Sequence, residues 1–248
     1  MEAVPRRLTF GAHADAYERA RPEWPEEAAR WLVPAGAELV VELGAGTGKL
    51  TRAVAALGVR VVAVEPDTRM LAVLRGLGLE GVEGSAEGIP FDDGVADAVV
   101  AGSSLHWFEL EEALPEIHRV LCPGGRFGFG WNHRDDRHPV VARMGEAVYA
   151  AQPRTGPRWR SRDWPAEVTA SGLFRDLEQA LFEHVHELPR DALRDHLMSY
   201  SGVAALREDD RRRVFAAVAR LLDADESVSG DGRLRLPFVV TGYRATRV

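Results

Sequence analysis

Cys122, Lys49 and Asn132 are the only cysteine, lysine and asparagine in this chain of 248 residues. A lone cysteine excludes a disulfide framework and any metal site built on several thiolates. No apolar run approaches the roughly 18 residues that a bilayer-spanning helix needs. The amino terminus, M-E-A-V-P-R-R-L-T-F, has no apolar core of signal-peptide length, so a cytoplasmic protein with no membrane partner is expected. A basic excess is missing too: the formal net charge is −7, and neutralising a nucleic-acid backbone requires a basic face. Scarce asparagine, glutamine and cysteine fit a thermophile, but a GC-rich genome gives the same bias and is the simpler reading. What remains is ordinary globular composition, 46% apolar and 28% charged, long enough for one sizeable α/β domain.

Strand and helix patterns alternate through the first half. Two short helical patterns, at 12–20 and 25–32, precede a continuous apolar strand at Leu39–Leu43. A helix follows over Thr47–Leu57, a strand over Arg60–Glu65, a helix over Met70–Leu77 and short strands at Leu79–Glu83 and Ala96–Ala101. Glu109–Leu121 has helical apolar spacing, C-P-G-G at Cys122–Gly125 stops it, and Arg126–Trp131 is a fifth strand. Apolar strands joined by helical crossovers imply a parallel sheet covered on both faces. After Asn132 the pattern weakens. A helix is expected near Val140–Ala151, a strand near Leu177–Leu188, helices near Asp191–Met198 and Asp209–Leu222, and a last strand at Arg233–Ala245.

The chemistry concentrates in V-V-E-L-G-A-G-T-G-K-L-T (Val40–Thr51), a glycine turn between strand and helix. A P-loop needs G-x-x-x-x-G-K-[ST], but Leu50 follows Lys49 and Leu43 stands where the first glycine belongs. A dinucleotide fingerprint needs its third glycine at position 49, not 48. Glu42 beside the turn would repel a pyrophosphate, and the single lysine leaves no downstream Tyr–Lys pair for a short-chain reductase. S-adenosylmethionine carries an ammonium and a sulfonium and no phosphate, so an acid at the turn is an asset. Gly44, Gly46 and Gly48 let the backbone approach such a ligand closely. Glu65, about 20 residues on, stands where this geometry offers a carboxylate to ribose hydroxyls.

These residues carry a resemblance. E-L-G-A-G-T-G (Glu42–Gly48), A-V-E-P-D (Ala63–Asp67), G-S-A-E-G-I-P-F-D-D-G-V-A-D-A-V (Gly84–Val99) and H-R-V-L-C-P-G-G-R-F (His118–Phe127) are similar, in order, to the motifs of class I S-adenosylmethionine-dependent methyltransferases, with Cys122 where lysine is usual. The flanking segments Phe10–Pro25, Ser103–Phe108 and Leu236–Arg247 resemble the small-molecule branch that includes trans-aconitate methyltransferase-like proteins. The resemblance implies a Rossmann-like α/β fold: a mostly parallel seven-stranded sheet, helices on both faces and an antiparallel last strand. It implies one domain over 1–248, with an N-terminal helical lid at 1–35, core motifs at 36–132 and a helical insertion at about 133–175.

It also implies roles. Glu42 and Gly44 would hold the methionine end and Glu65 the ribose, with Ala45, Gly46, Gly48 and Pro66 also against the cofactor. Ala86 and Glu87 would flank the adenine, with Ser103 nearby and Tyr17 and Arg21 closing from the lid; a surface helix is the plain alternative for that pair. His106 is the candidate base, against a hydrogen-bonded structural histidine, and Trp107 and Trp131 are candidates for the acceptor's surface. Asp97 reads as structural. H-R-D-D-R-H (His133–His138) has metal-capable side chains but reads as a hinge, so no metal is expected. The arginines of Pro153–Arg162 read as a solvated loop before an acid-gripping one. The expected enzyme methylates a small molecule, a carboxylic acid or hydroxyl compound, as a monomer or homodimer. A non-catalytic S-adenosylmethionine sensor and, further off, an NAD(P)-dependent reductase remain as alternatives.

Overall fold

The computed structural model of the protein describes residues 14–151 and 162–248. In chain order the elements are α1 (Ala14–Ala20), α2 (Glu26–Leu32), β1 (Leu39–Leu43), α3 (Lys49–Ala55), β2 (Arg60–Glu65), α4 (Thr68–Gly76), β3 (Gly81–Glu83), β4 (Ala96–Gly102), α5 (Leu110–Val120), β5 (Leu121–Arg134) and α6 (Pro139–Ala150). They continue with α7 (Trp164–Ala170), β6 (Phe174–Pro189), α8 (Leu193–Met198), α9 (Ser201–Ala204), α10 (Glu208–Asp223), β7 (Ser229–Gly230) and β8 (Arg233–Arg247). The sheet runs β3-β2-β1-β4-β5-β8-β6, with the short β7 paired to β8. Pairings from β3 through β5 are parallel, and β7 meets β8 antiparallel. This is the mixed, mostly parallel Rossmann-like sheet of the sequence reading.

Strand alternation explains the two covered faces. Val41 and Leu43 of β1, with Val99 and Ala101 of β4, pack with Leu114 and Ile117 of α5. Val40, Ala98 and Val100 face the other way, onto Ala28 and Leu32 of α2 and Leu50 and Val54 of α3. Such strands are buried on both sides, which is why they read as continuous apolar runs. After β1 the chain moves outward to β2 and β3, then returns to β4 on the other side of β1. The turn after β1 therefore opens where the winding direction reverses, the place where open α/β sheets bind ligands.

The described residues form two compact units. One comprises residues 14–22, 133–151 and 183–239, and the other 23–132, 162–182 and 240–248. The first has its own apolar core, built on Met144 of α6, Leu197 of α8, Val218 and Leu222 of α10 and Phe238 of β8. The second carries the glycine turn and the four sequence motifs.

Several boundaries differ from expectation for physical reasons. α3 starts at Lys49, two residues late, because Gly48 stands in the left-handed region (φ 89°) as its N-cap. β5 starts at Leu121, because C-P-G-G does not separate helix from strand. Leu121 already pairs with Ala96, and a register shift before Ala98–Arg126 absorbs the four residues as a bulge. α7 was not anticipated; its start is fixed by Asp163 Oδ1, which accepts the Ala166 N–H at 3.1 Å. Residue positions 12 and 13 of the first helical pattern, and the Pro153–Arg162 stretch up to residue 161, lie outside the described residues.

Candidate cofactor and acceptor site

The glycine turn is a backbone device held by carboxylates. Gly44, Gly46 and Gly48 have φ of 63°, 60° and 89°, in the left-handed region. At Gly44 the requirement is also steric: a Cβ there would stand 2.7 Å from Ser104 Cβ. Ser104 is itself buried and donates to the Leu43 carbonyl at 2.7 Å, which clamps the loop after β4 against the end of β1. At Gly46 a Cβ would meet nothing within 4 Å, so this turn presents bare backbone to open space. Thr47 beside it is fully buried, and its hydroxyl has no hydrogen-bond partner among the described residues.

Two acids stand under the turn. Glu42 is 1% exposed, and its Oε2 accepts from the Thr51 hydroxyl at 2.6 Å. Burial pushes its pKa up to about 8, opposed by the Thr51 hydrogen bond and assisted by the nearby Glu65 charge. Glu65 Oε2 accepts the Gly46 N–H at 2.8 Å and Oε1 accepts the Asp67 N–H at 2.9 Å. Burial raises its pKa as well, against those two backbone bonds. Glu65 is thus the brace that fixes the curvature of the glycine turn, a role its position at the end of β2 did not announce. A buried carboxyl poised near neutrality becomes a full counter-ion when a cation approaches it, so the acid pair, the bare backbone at Gly46 and the orphan Thr47 hydroxyl fit a cationic ligand. They do not fit a phosphate.

The segment carrying Ala86 and Glu87 is fixed from behind by a second motif. Arg119 of α5 donates to the carbonyls of Phe91 (2.8 Å) and Ile89 (3.0 Å) and to Asp93 Oδ1 (2.8 Å), and Glu116 accepts the Ile89 N–H at 3.0 Å. The G-S-A-E-G-I-P-F-D-D and H-R-V-L segments are therefore one structural unit. Ala86 is buried, and Glu87 Oε1 accepts the N–H of Glu109, the N-cap of α5, at 3.0 Å. Pro66 is half-buried beside Glu65, and Ala45 lies buried in the turn.

At the end of β4, Ser103 adopts a left-handed φ of 58°, and its hydroxyl accepts the Asn132 N–H at 3.1 Å. Asn132 in turn donates from its side chain to the Glu23 carbonyl at 2.9 Å. His106 and Trp107 lie in a single 3-10 turn, Leu105–Trp107, with ring centroids 4.7 Å apart. The indole N–H of Trp131 donates to His106 Nδ1 at 3.2 Å. An indole nitrogen only donates, so Nδ1 is the bare nitrogen and the neutral ring carries its proton on Nε2. Trp131 is 5% exposed and packs on Trp164, Phe129 and Tyr243. Its hydrogen bond fixes one edge of the His106 ring.

Tyr17 and Arg21 belong to the first unit, where the Arg21 guanidinium lies 5.2 Å from the Tyr17 ring centroid and donates to the Ser199 carbonyl at 3.1 Å. Asp97 accepts the N–H groups of Glu38 (2.7 Å) and Leu39 (3.0 Å), agreeing with the structural reading. Among the described residues no group of three or more His, Cys, Asp or Glu is placed to hold a metal ion, and no helix is long and apolar enough to cross a membrane. Sequence reasoning missed Ser104, Thr51 and Arg119. Only Arg119 had a signal, its place in the H-R-V-L segment.

Comparison with known proteins agrees with this geometry. Residues 41–129 match the model of a family described as a methyltransferase domain. An uncharacterized methyltransferase of Mycobacterium tuberculosis is 39% identical over 241 residues, 96% of each chain. An uncharacterized methyltransferase-like protein of Schizosaccharomyces pombe is 30% identical over 246 residues, 96% of this chain and 95% of its own. A solved structure from Anaeromyxobacter dehalogenans, described as a type II methyltransferase, superposes with a TM-score of 0.68 at 25% identity, covering 92% of this chain and 97% of the other. The dinucleotide alternative ends there. With its acid-braced glycine turn at the switch point of the sheet, the chain belongs to the S-adenosylmethionine-dependent methyltransferases, enzymes for which S-adenosylmethionine is the cofactor and, here, a small molecule the acceptor.

Proposed function

We propose that the acceptor is a small carboxylic acid, methylated on its carboxylate without a side-chain base. The observation that carries this reading is the Trp131-to-His106 hydrogen bond. It engages the bare nitrogen, Nδ1, so the neutral His106 ring carries its proton on Nε2 and acts as a donor rather than as a base. A donor binds an anion. An alcohol, amine or carbon acid would require a base at this place, whereas a carboxylate is a nucleophile as it stands. The likeness of the flanking segments to trans-aconitate methyltransferase-like proteins supports the same acceptor class.

When bound, S-adenosylmethionine supplies an electrophilic methyl group on a sulfonium. In this reading Glu42, ionised by the approach of the ammonium, anchors the methionine end beside Gly44, Ala45 and Gly48. Glu65 keeps its two backbone bonds and accepts from the ribose through its remaining lone pairs, with Pro66 shaping that wall. Ala86 and Glu87 border the adenine, and Ser103 holds the end of β4 open through its left-handed turn. His106 and Trp107 align the acceptor, and the apolar walls exclude water, which is most of what a displacement between two aligned partners demands of a protein.

The test is an acceptor screen with carboxylic acids, phenols and amines at saturating S-adenosylmethionine, the products identified by mass. The expected product is a methyl ester, formed at a rate with no ionisation that His106→Gln abolishes. Methylation of a phenol or amine, with a rising pH limb lost in His106→Gln, would overturn both the acceptor class and the role of His106.

A further inference from the structure

The first unit holds two guanidinium groups, Arg134 buried and Arg21 half-buried, that have no counter-ion among the described residues. Arg134, at the end of β5, is 4% exposed, yet its Nε and Nη1 find no hydrogen-bond partner there, and neither does Arg21 Nε. Both guanidinium carbons lie against one ring: Arg21 is 4.7 Å and Arg134 4.8 Å from the centroid of Tyr200. That ring is held from the far end of its own side chain. The Tyr200 hydroxyl meets His196 Nε2 at 3.1 Å, and His196 Nδ1 donates to the Ala20 carbonyl at 2.8 Å, so the hydroxyl must donate. His186 also donates to Ala20 O, at 3.1 Å.

None of this supplies negative charge. Burial first, then His186, Arg21 and Arg134, push the His196 pKa well below its ordinary value, so the histidine stays neutral and the guanidiniums are the charges that remain. Arg134 Nη2 and Asp136 Oδ1 both stand beside Gly145, 3.6 and 3.5 Å from where a Cβ would be built there, while Nε and Nη1 stay without a partner among the described residues. Arginine does not escape such a position by losing its proton. Holding two like charges against one aromatic ring, one of them buried, with three buried donor atoms unmade, is costly unless an anion completes the cluster.

We propose that Arg21, Arg134 and Tyr200 form a binding site for the carboxylate of a small free acid. Tyr200 is the platform, oriented by His196 and Ala20, and the two arginines supply charge and hydrogen-bond donors. The site draws on three separate chain segments of one unit and does not depend on the reading of the methyl-transfer site.

Thermal unfolding tests it, with acetate, succinate, citrate and inorganic phosphate titrated at constant ionic strength against chloride, on the wild type, Arg134→Met and Arg134→Lys. A carboxylic acid present at a hundredfold excess over its Kd is expected to raise the wild-type Tm by about 5 °C. Arg134→Met should abolish that rise. Because it removes a buried unpaired charge, it should also unfold about 2 °C higher than the wild type in chloride alone. Should Arg134→Met not fold, Arg134→Lys keeps the charge and must weaken the acid's effect at least tenfold. A response no larger than that to chloride, or an acid response retained in Arg134→Met, overturns the proposal. So does a preference for phosphate over every carboxylate. S-adenosylhomocysteine binding is the last arm: a tenfold loss in Arg134→Met would assign the anion to the cofactor's own carboxylate and overturn the free acid.

Discussion

The two units bury opposite charges in opposite ways. Under the glycine turn, Glu42 and Glu65 are sunk among backbone N–H groups and a threonine hydroxyl, with partners within a few residues of the turn. In the other unit, Arg21 and Arg134 come from remote segments and share the face of an aromatic ring, with donors left over. The acids are braced and complete a shape before any ligand arrives. The arginines are held in place but electrostatically unfinished. A braced pair reads out as stability and curvature; an unfinished pair reads out as affinity. Each arrangement makes predictions that the other does not.

The largest expected effect tests the brace. Gly44→Ala forces a side chain into Ser104 at a left-handed φ and should cost about 4 kcal/mol of stability, measured by urea unfolding. Loss of less than 1 kcal/mol would mean that the turn relaxes freely and is no rigid cradle. Next comes Glu42→Gln, which removes the counter-ion. S-adenosylmethionine should bind about 50-fold more weakly by calorimetry, while the fold persists because the amide still accepts from Thr51. Glu65→Gln leaves one of two backbone N–H donors without an acceptor and should cost about 1.5 kcal/mol. An unchanged Tm would remove Glu65 from the brace.

A smaller effect follows from titration. The folded-state pKa of Glu42 is raised to about 8, above its value in the unfolded chain. Between roughly pH 4.5 and 8 the unfolded state releases this proton and the folded state keeps it, so the contribution of Glu42 to stability falls as pH rises through that window. The ligand-free wild type should lose Tm across this range more steeply than Glu42→Gln. Binding of the cationic cofactor should release a proton near pH 7, visible as a dependence of the binding enthalpy on the buffer. Parallel Tm profiles would refute the raised pKa. The smallest expected change is Gly46→Ala, about 1 kcal/mol of stability from φ alone, but with cofactor affinity falling far more than stability. Unchanged affinity would move the cofactor away from the turn.

The same contrast explains what could be read from the sequence. β1, the glycine turn and Glu65 lie within 27 residues of one another in the order that a strand, turn, helix and strand impose, so spacing alone carries them. The C-P-G-G bulge stayed hidden because a helix stop and a strand bulge use the same residues. Ser104 and Arg119 act on partners 61 and 26 to 30 residues away in the chain, where residue type offers no hint of the neighbour. Arg134 is the sharpest case. It sat within H-R-D-D-R-H, whose pattern suggested a hinge or a metal, and nothing local could show that its guanidinium meets a tyrosine 66 residues away. Local chemistry is legible in one dimension; a cluster assembled from three segments becomes visible only in three.

Lys49, the first residue of α3, has its ammonium 2.5 Å from Glu23 and is largely covered. Because it is the sole lysine, amine-directed acylation can mark the chain at one side chain and, where it is open, the amino terminus. That single ε-amine is held by the carboxylate of Glu23. Its rate of modification is therefore a built-in reporter, needing no engineered label, of how often the Lys49–Glu23 ion pair opens at the start of α3.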